Sequence, residues 1–536
     1  MKHLYSFLLS ALVCLSLSAQ NKVSGDSLAA DFHYLVKQLE AAHPDPYTGF
    51  GGKVFFHKQA FNLENELRSQ PHTLQEFWDK SMAFLSFIQD GHTYLFSLAS
   101  KQQQKQRYLP VGLRCIPDGL IVQRLQAAHQ DLLGSLLVGI NGKSMEELLA
   151  RTARLVACEN LYNRYSVFCR NVVRRQFMQQ LLPDLEDTVC FYLRTPDGKD
   201  VTLEQHFMEN EELRKAEKVN LPSWVGCPEE QMAYRFIDKK KEVMMFKVNS
   251  IMARDNFEYM YKHMKGDLLR QMEFYYQNAL KKEMPADTLQ AIRALPSFSG
   301  TFAAMLKEMK KHHSEYLIID LRGNSGGWTP IVLASLYQLY GDKYLQKDMD
   351  TEYYRIVSPL YMNKLEITLE EFNRRYGTDY SFGDYTFSMK EQEDIPLDTL
   401  RRQFIDGCMS SVKEELRAQK GAPVYAPKQV FVVTDERTFS AAFHYAFMLW
   451  KMGATVVGVP SGQAPNTFME QTLFKLPYTG IEGSISNSVQ IFLPGKDKRA
   501  KTFWPDVMLT YDEYKQTGFD KQAEILFLLN KIGQEK

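Results

Sequence analysis

The chain has 536 residues, of which 45% are apolar and 24% charged, with 64 Lys plus Arg against 64 Asp plus Glu. That length is more than one compact core accommodates and predicts two or three domains, while the composition is that of a globular chain rather than a collagen-like, disordered or membrane-bundle one. A formal net charge of zero offers no field to draw nucleic acid or an anionic membrane surface, so neither is expected as a partner.

The first segment is Lys2 and His3, an apolar run from Leu4 to Leu17, and Ser18-Ala19. A basic start, a short apolar middle and small residues before a cut describe a cleavable signal peptide over 1–19, so a periplasmic or secreted protein with no remaining membrane span is expected. Val13 stands before Cys14 where lipid attachment normally needs a small residue, which argues against a lipoprotein. The other cysteines are Cys115, Cys158, Cys169, Cys190, Cys227 and Cys408. Export permits disulfides, but so thin a spread over a long chain fits mostly buried, small apolar residues.

Residues 20–104 carry apolar positions at helical spacing, among them Phe32, Leu35, Val36, Leu39, Phe77, Met82, Phe84 and Leu85, and read as a helical cap interrupted at His43-Pro44-Asp45-Pro46 and at 49–52. Residues 105–210 alternate short strand candidates (120–122, 136–140, 189–193) with an Asn141-Gly142 turn and a helix over 145–155, an α+β pattern. Within 211–536, apolar strands at 243–248, 316–320, 430–434 and 455–459 alternate with helices. This predicts an α/β core on a largely parallel sheet with functional residues at the strand ends. The stretches 256–311 and 343–422 read as helices and insertions decorating that core.

Three local constellations carry chemistry. In Thr434-Asp435-Glu436-Arg437-Thr438-Phe439-Ser440-Ala441-Ala442, a strand turns into a helix that begins at Ser440, where free N–H groups and the helix dipole favour developing negative charge; an ordinary N-cap serine is the alternative. In Asp320-Leu321-Arg322-Gly323-Asn324-Ser325-Gly326-Gly327, glycines after a buried strand let backbone N–H groups approach a ligand, and Trp328-Thr329 stands where a phosphate loop would need Lys-Ser/Thr. In Asp90-Gly91-His92-Thr93, the imidazole of His92 is a candidate general base. His444 lies one helical turn beyond Ser440 and is poorly placed to reach back to it. No H-E-x-x-H grouping is present, so neither a metal nor another cofactor is expected.

Taken together, these segments resemble the DLR-x-N-x-GG, TDE-x-T-x-SAA and DGHT elements of the C-terminal processing, or tail-specific, peptidases, in the tricorn-core and interphotoreceptor retinoid-binding protein branch. Leu133 to Lys143 is similar to the GD-x-I-x-x-I-N-G core of a PDZ-like domain, with Ser135 at the acidic place; a plain α+β spacer is the alternative. The resemblance implies a ClpP/crotonase-like α/β peptidase core with an N-terminal helical cap and a PDZ-like α+β domain. It implies Ser440 as nucleophile, His92 as base, the N–H groups of Gly326 and Ala441 as oxyanion donors, and a polypeptide substrate; it does not place the group that orients His92, for which Glu470 is the candidate by its position after the Gly-rich turn. The tail-specific branch has a lysine about 25 residues after the serine; here that place is Pro465, beside Gln463, Ala464 and Asn466, so the histidine branch is favoured. Phe443 replaces a glutamate usual in the family and Val459 another. These departures leave open a non-catalytic protein that binds a peptide or apolar ligand, and an esterase built on the same serine is a third reading.

Overall fold

The computed structural model describes residues 22–98, 106–349, 351–387 and 395–534; the leader expected over 1–19, with Cys14, lies outside them. Three helices, Gly25–Ala42, Lys53–Ser69 and Leu74–Ser86, open the described chain. Their apolar stripes meet in one core of Leu28, Phe32, Leu35, Leu39, Phe56, Phe77 and Phe84. A reciprocal cap of Thr73 and Glu76 starts the third helix.

The next unit is a seven-stranded antiparallel sheet whose main path runs Lys218–Asn220, Gly119–Gln126, Leu136–Ile140, Thr188–Arg194 and Asp200–His206. The Asn141-Gly142 turn forms as its residue types predict, with both residues at positive φ. Helices Met145–Leu155 and Leu161–Asn171 bury Leu148, Leu149 and Phe168 against the sheet.

The expected α/β core is present. Strands Met232–Phe236, Val243–Val248, Tyr316–Asp320, Gln429–Thr434 and Thr455–Gly458 lie side by side in that order, the first pair antiparallel and the rest parallel. The inner strands are buried on both faces, as their unbroken apolar runs require. Three loops leave the same C-terminal edge of this sheet after Asp320, Thr434 and Gly458, and they converge.

A second sheet was not anticipated. Tyr385–Phe387, Glu352–Ile356, Glu482–Ile491 and Thr467–Lys475 pair in that order, and Tyr94–Leu95 joins Glu482–Ile491. The stretch 343–422, read as helices and insertions, supplies two strands of this sheet as well as helices. The signal was weak because most buried positions of the long strand are polar, Ser484, Ser486, Asn487, Ser488 and Gln490, with Ile485 the one buried apolar side chain in it. Ser484 Oγ donates to the His92 carbonyl, and the N–H of Ser486 donates to Thr93 Oγ1.

All six described cysteines are unpaired. Among the described residues no helix is long and apolar enough to cross a membrane.

Under the converging loops lies a buried ion network. Arg322 reaches Asp320 at 2.9 Å and Glu524 at 2.7 Å, and Arg114 meets Glu524 at 2.9 Å. Asp320 and Glu524 are both held ionised against their burial by these guanidinium groups. Replacing Arg322 with Ala leaves two buried carboxylates short of their partner, and about 3–5 kcal/mol of destabilisation is expected. A fall in the thermal unfolding midpoint, followed by circular dichroism, measures it; an unchanged midpoint would show the network to be energetically idle.

Candidate active site

Ser440 stands directly before the helix Ala441–Lys451, at φ +52° and ψ −128°. A side-chain-bearing residue is rarely found there, and the turn is held from several directions. Phe439 N–H donates to the Asn324 carbonyl at 3.1 Å, Thr438 Oγ1 to the Leu321 carbonyl at 3.1 Å, and Ser440 N–H to Gln463 Oε1. Two of these bonds reach the loop after Asp320 and the third reaches the loop after Gly458.

Gly326, at φ +108°, lies against this turn. A Cβ there would fall 2.6 Å from Ser440 Cβ, 2.8 Å from the Phe439 carbonyl oxygen and 2.9 Å from Ala441 N. Its own N–H donates to Asn324 Oδ1 at 2.9 Å, and Asn324 is in turn anchored through Nδ2 to the Val248 carbonyl. The role expected for Gly326 therefore changes: its amide is engaged, and what the site draws from it is the missing side chain. Ala441, the first residue of the helix, has an N–H that lies beyond the reach of the helical ladder.

His92 is 6% exposed, and its ring lies 5.0 Å from that of Phe439, the neighbour of Ser440. No hydrogen bond joins it to Ser440 among the described residues, a looseness common in sites without substrate. Burial pulls its pKa below the ordinary imidazole value, against the raising effects of the Asp90 charge and the Phe468 backbone, so the ring is neutral and able to accept a proton. Two carboxylates face it: Asp90 Oδ1 and Glu159 Oε1, each 3.9 Å from Nδ1. Gly91 makes this approach feasible, since a Cβ there would meet the Phe439 ring at 2.6 Å and Glu159 Oε1 at 3.0 Å.

Asp90 is saturated. It accepts from the N–H of His92 at 2.8 Å, from Thr93 Oγ1 at 2.5 Å and from His43 Nε2 at 3.3 Å. Burial would push its pKa up, but the hydrogen bond and charge of His43, with His92 behind, bring it down to about 2. Asp90, His92 and Glu159 have donor atoms within 4.8 Å of one another. The cluster is a histidine between two carboxylates, one of which already accepts three hydrogen bonds.

His444 does not serve as the base. Its Nδ1 pairs with Thr329 Oγ1 and its Nε2 with Gln490 Oε1, both at 2.8 Å, and burial takes its pKa down to about 4. Glu470 does not face His92 either: its carboxylate pairs with Arg355 Nε at 2.8 Å and Lys364 Nζ at 3.4 Å. The acid that does approach His92 from outside its own loop is Glu159, which no local pattern in the sequence marks. Phe443 stacks with Phe492 and packs on Phe503, and Val459 joins the core of the seven-stranded unit, so both family departures are absorbed by apolar packing.

Residues 291–482 match the model of peptidase family S41. The fold is similar to that of mature CPAF, with a TM-score of 0.56 and 13% identity over 95% of this chain and 98% of that one. The structure of mature CPAF complexed with lactacystin gives a TM-score of 0.53 and 15% identity over 94% and 97%. No curated protein matches the chain.

The contact between Gly326 and Ser440 leads to a test. Gly326→Ala forces the loop off the serine, and a displacement near 1 Å at a reacting group is worth about 100-fold in rate. The expected outcome is a loss of that order in the labelling of Ser440 by a fluorophosphonate, with far-ultraviolet circular dichroism unchanged.

Proposed function

We propose that the chain, a serine-type peptidase of family S41 by its matched segment, is an exported endopeptidase that hydrolyses peptide bonds through an acyl-enzyme on Ser440. The observation that carries this reading is Ser440 itself, held at positive φ at a helix N-terminus, against a side-chain-free Gly326, with a neutral, buried His92 packed on the ring of the adjoining Phe439.

Each step has a group to perform it. Ser440 Oγ attacks the scissile carbonyl carbon while its proton passes to His92. The carbonyl oxygen takes up the negative charge, and the N–H of Ala441 together with the positive end of its helix stabilises it. Gly326 adds a second donor only if its amide leaves Asn324 Oδ1. Collapse breaks the C–N bond, and His92 returns its proton to the departing amine. Water, deprotonated by His92, then releases the acyl group and regenerates Ser440 Oγ–H.

Export rests on the leader-like residues 1–19, and the PDZ-like reading of Leu133 to Lys143 makes the seven-stranded unit the holder of the polypeptide. The packing of Phe443 and Val459 supports a working site over a vacated one, because neither leaves an unfilled polar position.

Fluorophosphonate labelling of the purified protein, located by peptide mass spectrometry, tests the reading. Modification is expected on Ser440, absent in Ser440→Ala and slower by about 100- to 10,000-fold in His92→Ala. Cleavage of an unstructured polypeptide should follow the same order. A folded wild-type protein that neither labels nor cleaves would refute the assignment.

A further inference from the structure

We infer that Glu159 is the positioning residue for His92: its carboxylate orients the imidazole and accepts the Nδ1–H bond when His92 takes the proton of Ser440. The inference rests on the peptidase reading above and names the third member of its site.

Glu159 sits between the helices Met145–Leu155 and Leu161–Asn171, far from His92 in sequence, and its side chain is 1% exposed. Its Oε1 accepts the N–H of Gly91 at 3.3 Å and its Oε2 the N–H of Ala464 at 2.9 Å. The first amide adjoins the base. The second adjoins Gln463, whose side chain holds the N–H of Ser440. One carboxylate thus ties the base loop to the loop that steadies the nucleophile. Asn160 pins the same segment by donating from Nδ2 to the Ser461 carbonyl at 3.1 Å, and Asn163 Oδ1 accepts the N–H of Glu159 at 3.2 Å.

His92 Nδ1 points into this arrangement. It is enclosed and has no hydrogen-bond partner. An imidazolium would carry a proton on that nitrogen and would need an acceptor. Asp90 is equally near, but it already accepts from His43, Thr93 and the backbone of His92. Glu470 is spent on Arg355 and Lys364. Glu159 also accepts three hydrogen bonds, from Ala464, Gly91 and the Thr467 hydroxyl. The Gly91 bond on its Oε1 is a long 3.3 Å contact, whereas Asp90 Oδ1 is held at 2.8 Å by the His92 backbone, so Oε1 is the oxygen better able to take Nδ1–H after a small closure of the 3.9 Å gap.

The groups facing Glu159 are Asp90, His92, Thr467 and the amides of Gly91 and Ala464. No cation is among them. Burial, then the charge of Asp90, pushes the Glu159 carboxyl up to about 8, against the hydrogen bonds of Ala464, Thr467 and Gly91. Below that value Glu159 is protonated and is a poor acceptor for Nδ1–H. As pH rises through it, the carboxylate forms, Nδ1 keeps the ring proton and Nε2 is left free to act. Ser440 reactivity should therefore climb through that range.

The experiment uses the full chain and two readouts. Labelling rates with a fluorophosphonate are measured from about pH 6 to about pH 10 for the wild type, Glu159→Gln and Glu159→Asp. Glu159→Gln keeps an oxygen for the amides but carries no charge; it should label at least about 10-fold more slowly and lose the rise near pH 8, and Glu159→Asp should recover part of both. Separately, the tautomer of the neutral His92 ring is read above about pH 8 by NMR with labelled histidine in Ser440→Ala, with and without Glu159→Gln. The carboxylate should hold the ring proton on Nδ1, and its loss should shift that preference. A Glu159→Gln protein with wild-type labelling, an unaltered pH profile and an unchanged His92 tautomer would overturn the inference. Absence of Ser440 labelling in the wild type would instead refute the peptidase reading, and the NMR comparison would still decide the pairing of Glu159 with His92.

Discussion

The positive φ of Ser440 is the constraint around which this part of the molecule is built. A residue with a Cβ held in such a region costs about 1–3 kcal/mol, so the surrounding structure must over-determine it. It does so with three loops from one edge of a parallel sheet. Asn324 and Leu321 take hydrogen bonds from the turn, Gln463 takes the serine amide, and Gly326 removes the side chain that would collide. The ion network of Asp320, Arg322 and Glu524 lies just beneath and fixes where the first loop leaves its strand. Strain at one residue is thus sustained by the strand ends of the whole core.

The electrostatics of His92 follow from burial. An imidazole enclosed among apolar and polar walls loses its charged form, and two carboxylates beside it cannot both be ionised cheaply. Asp90 keeps its charge because His43 and Thr93 support it. Glu159, without such support, is driven the other way. Environment separates two chemically similar groups into different protonation states, the same logic by which acid and base roles are divided elsewhere in proteins.

The site also unites parts of the chain that look independent. His92 comes from the loop after the third helix, Ser440 from the α/β core, and Glu159 from the seven-stranded unit. The strand Glu482–Ile491 supports the base loop through Ser484 and Ser486. Phe443 and Val459 extend apolar cores up to the site's edge, which explains how the chain dispenses with two carboxylates that its resemblance had led one to expect.

Local features were legible in the sequence wherever a single segment carried its own physical signal. The strands Val243–Val248 and Tyr316–Asp320 appear as continuous apolar runs, the Asn141-Gly142 turn by its residue types, and Ser440, His92 and the glycine loop by short motifs. The sheet built on Glu482–Ile491 escaped because most of its buried positions on that strand are serine, asparagine and glutamine, whose burial depends on partners supplied from elsewhere. Glu470 stood at a plausible distance along the chain, yet Arg355 and Lys364 claim it. Glu159 and the engagement of the Gly326 amide by Asn324 were decided only by tertiary structure. Apolar periodicity and turn chemistry act between near neighbours and leave a trace in sequence order. Buried polar pairing acts across hundreds of residues, and only the folded chain reveals which partner each group finds.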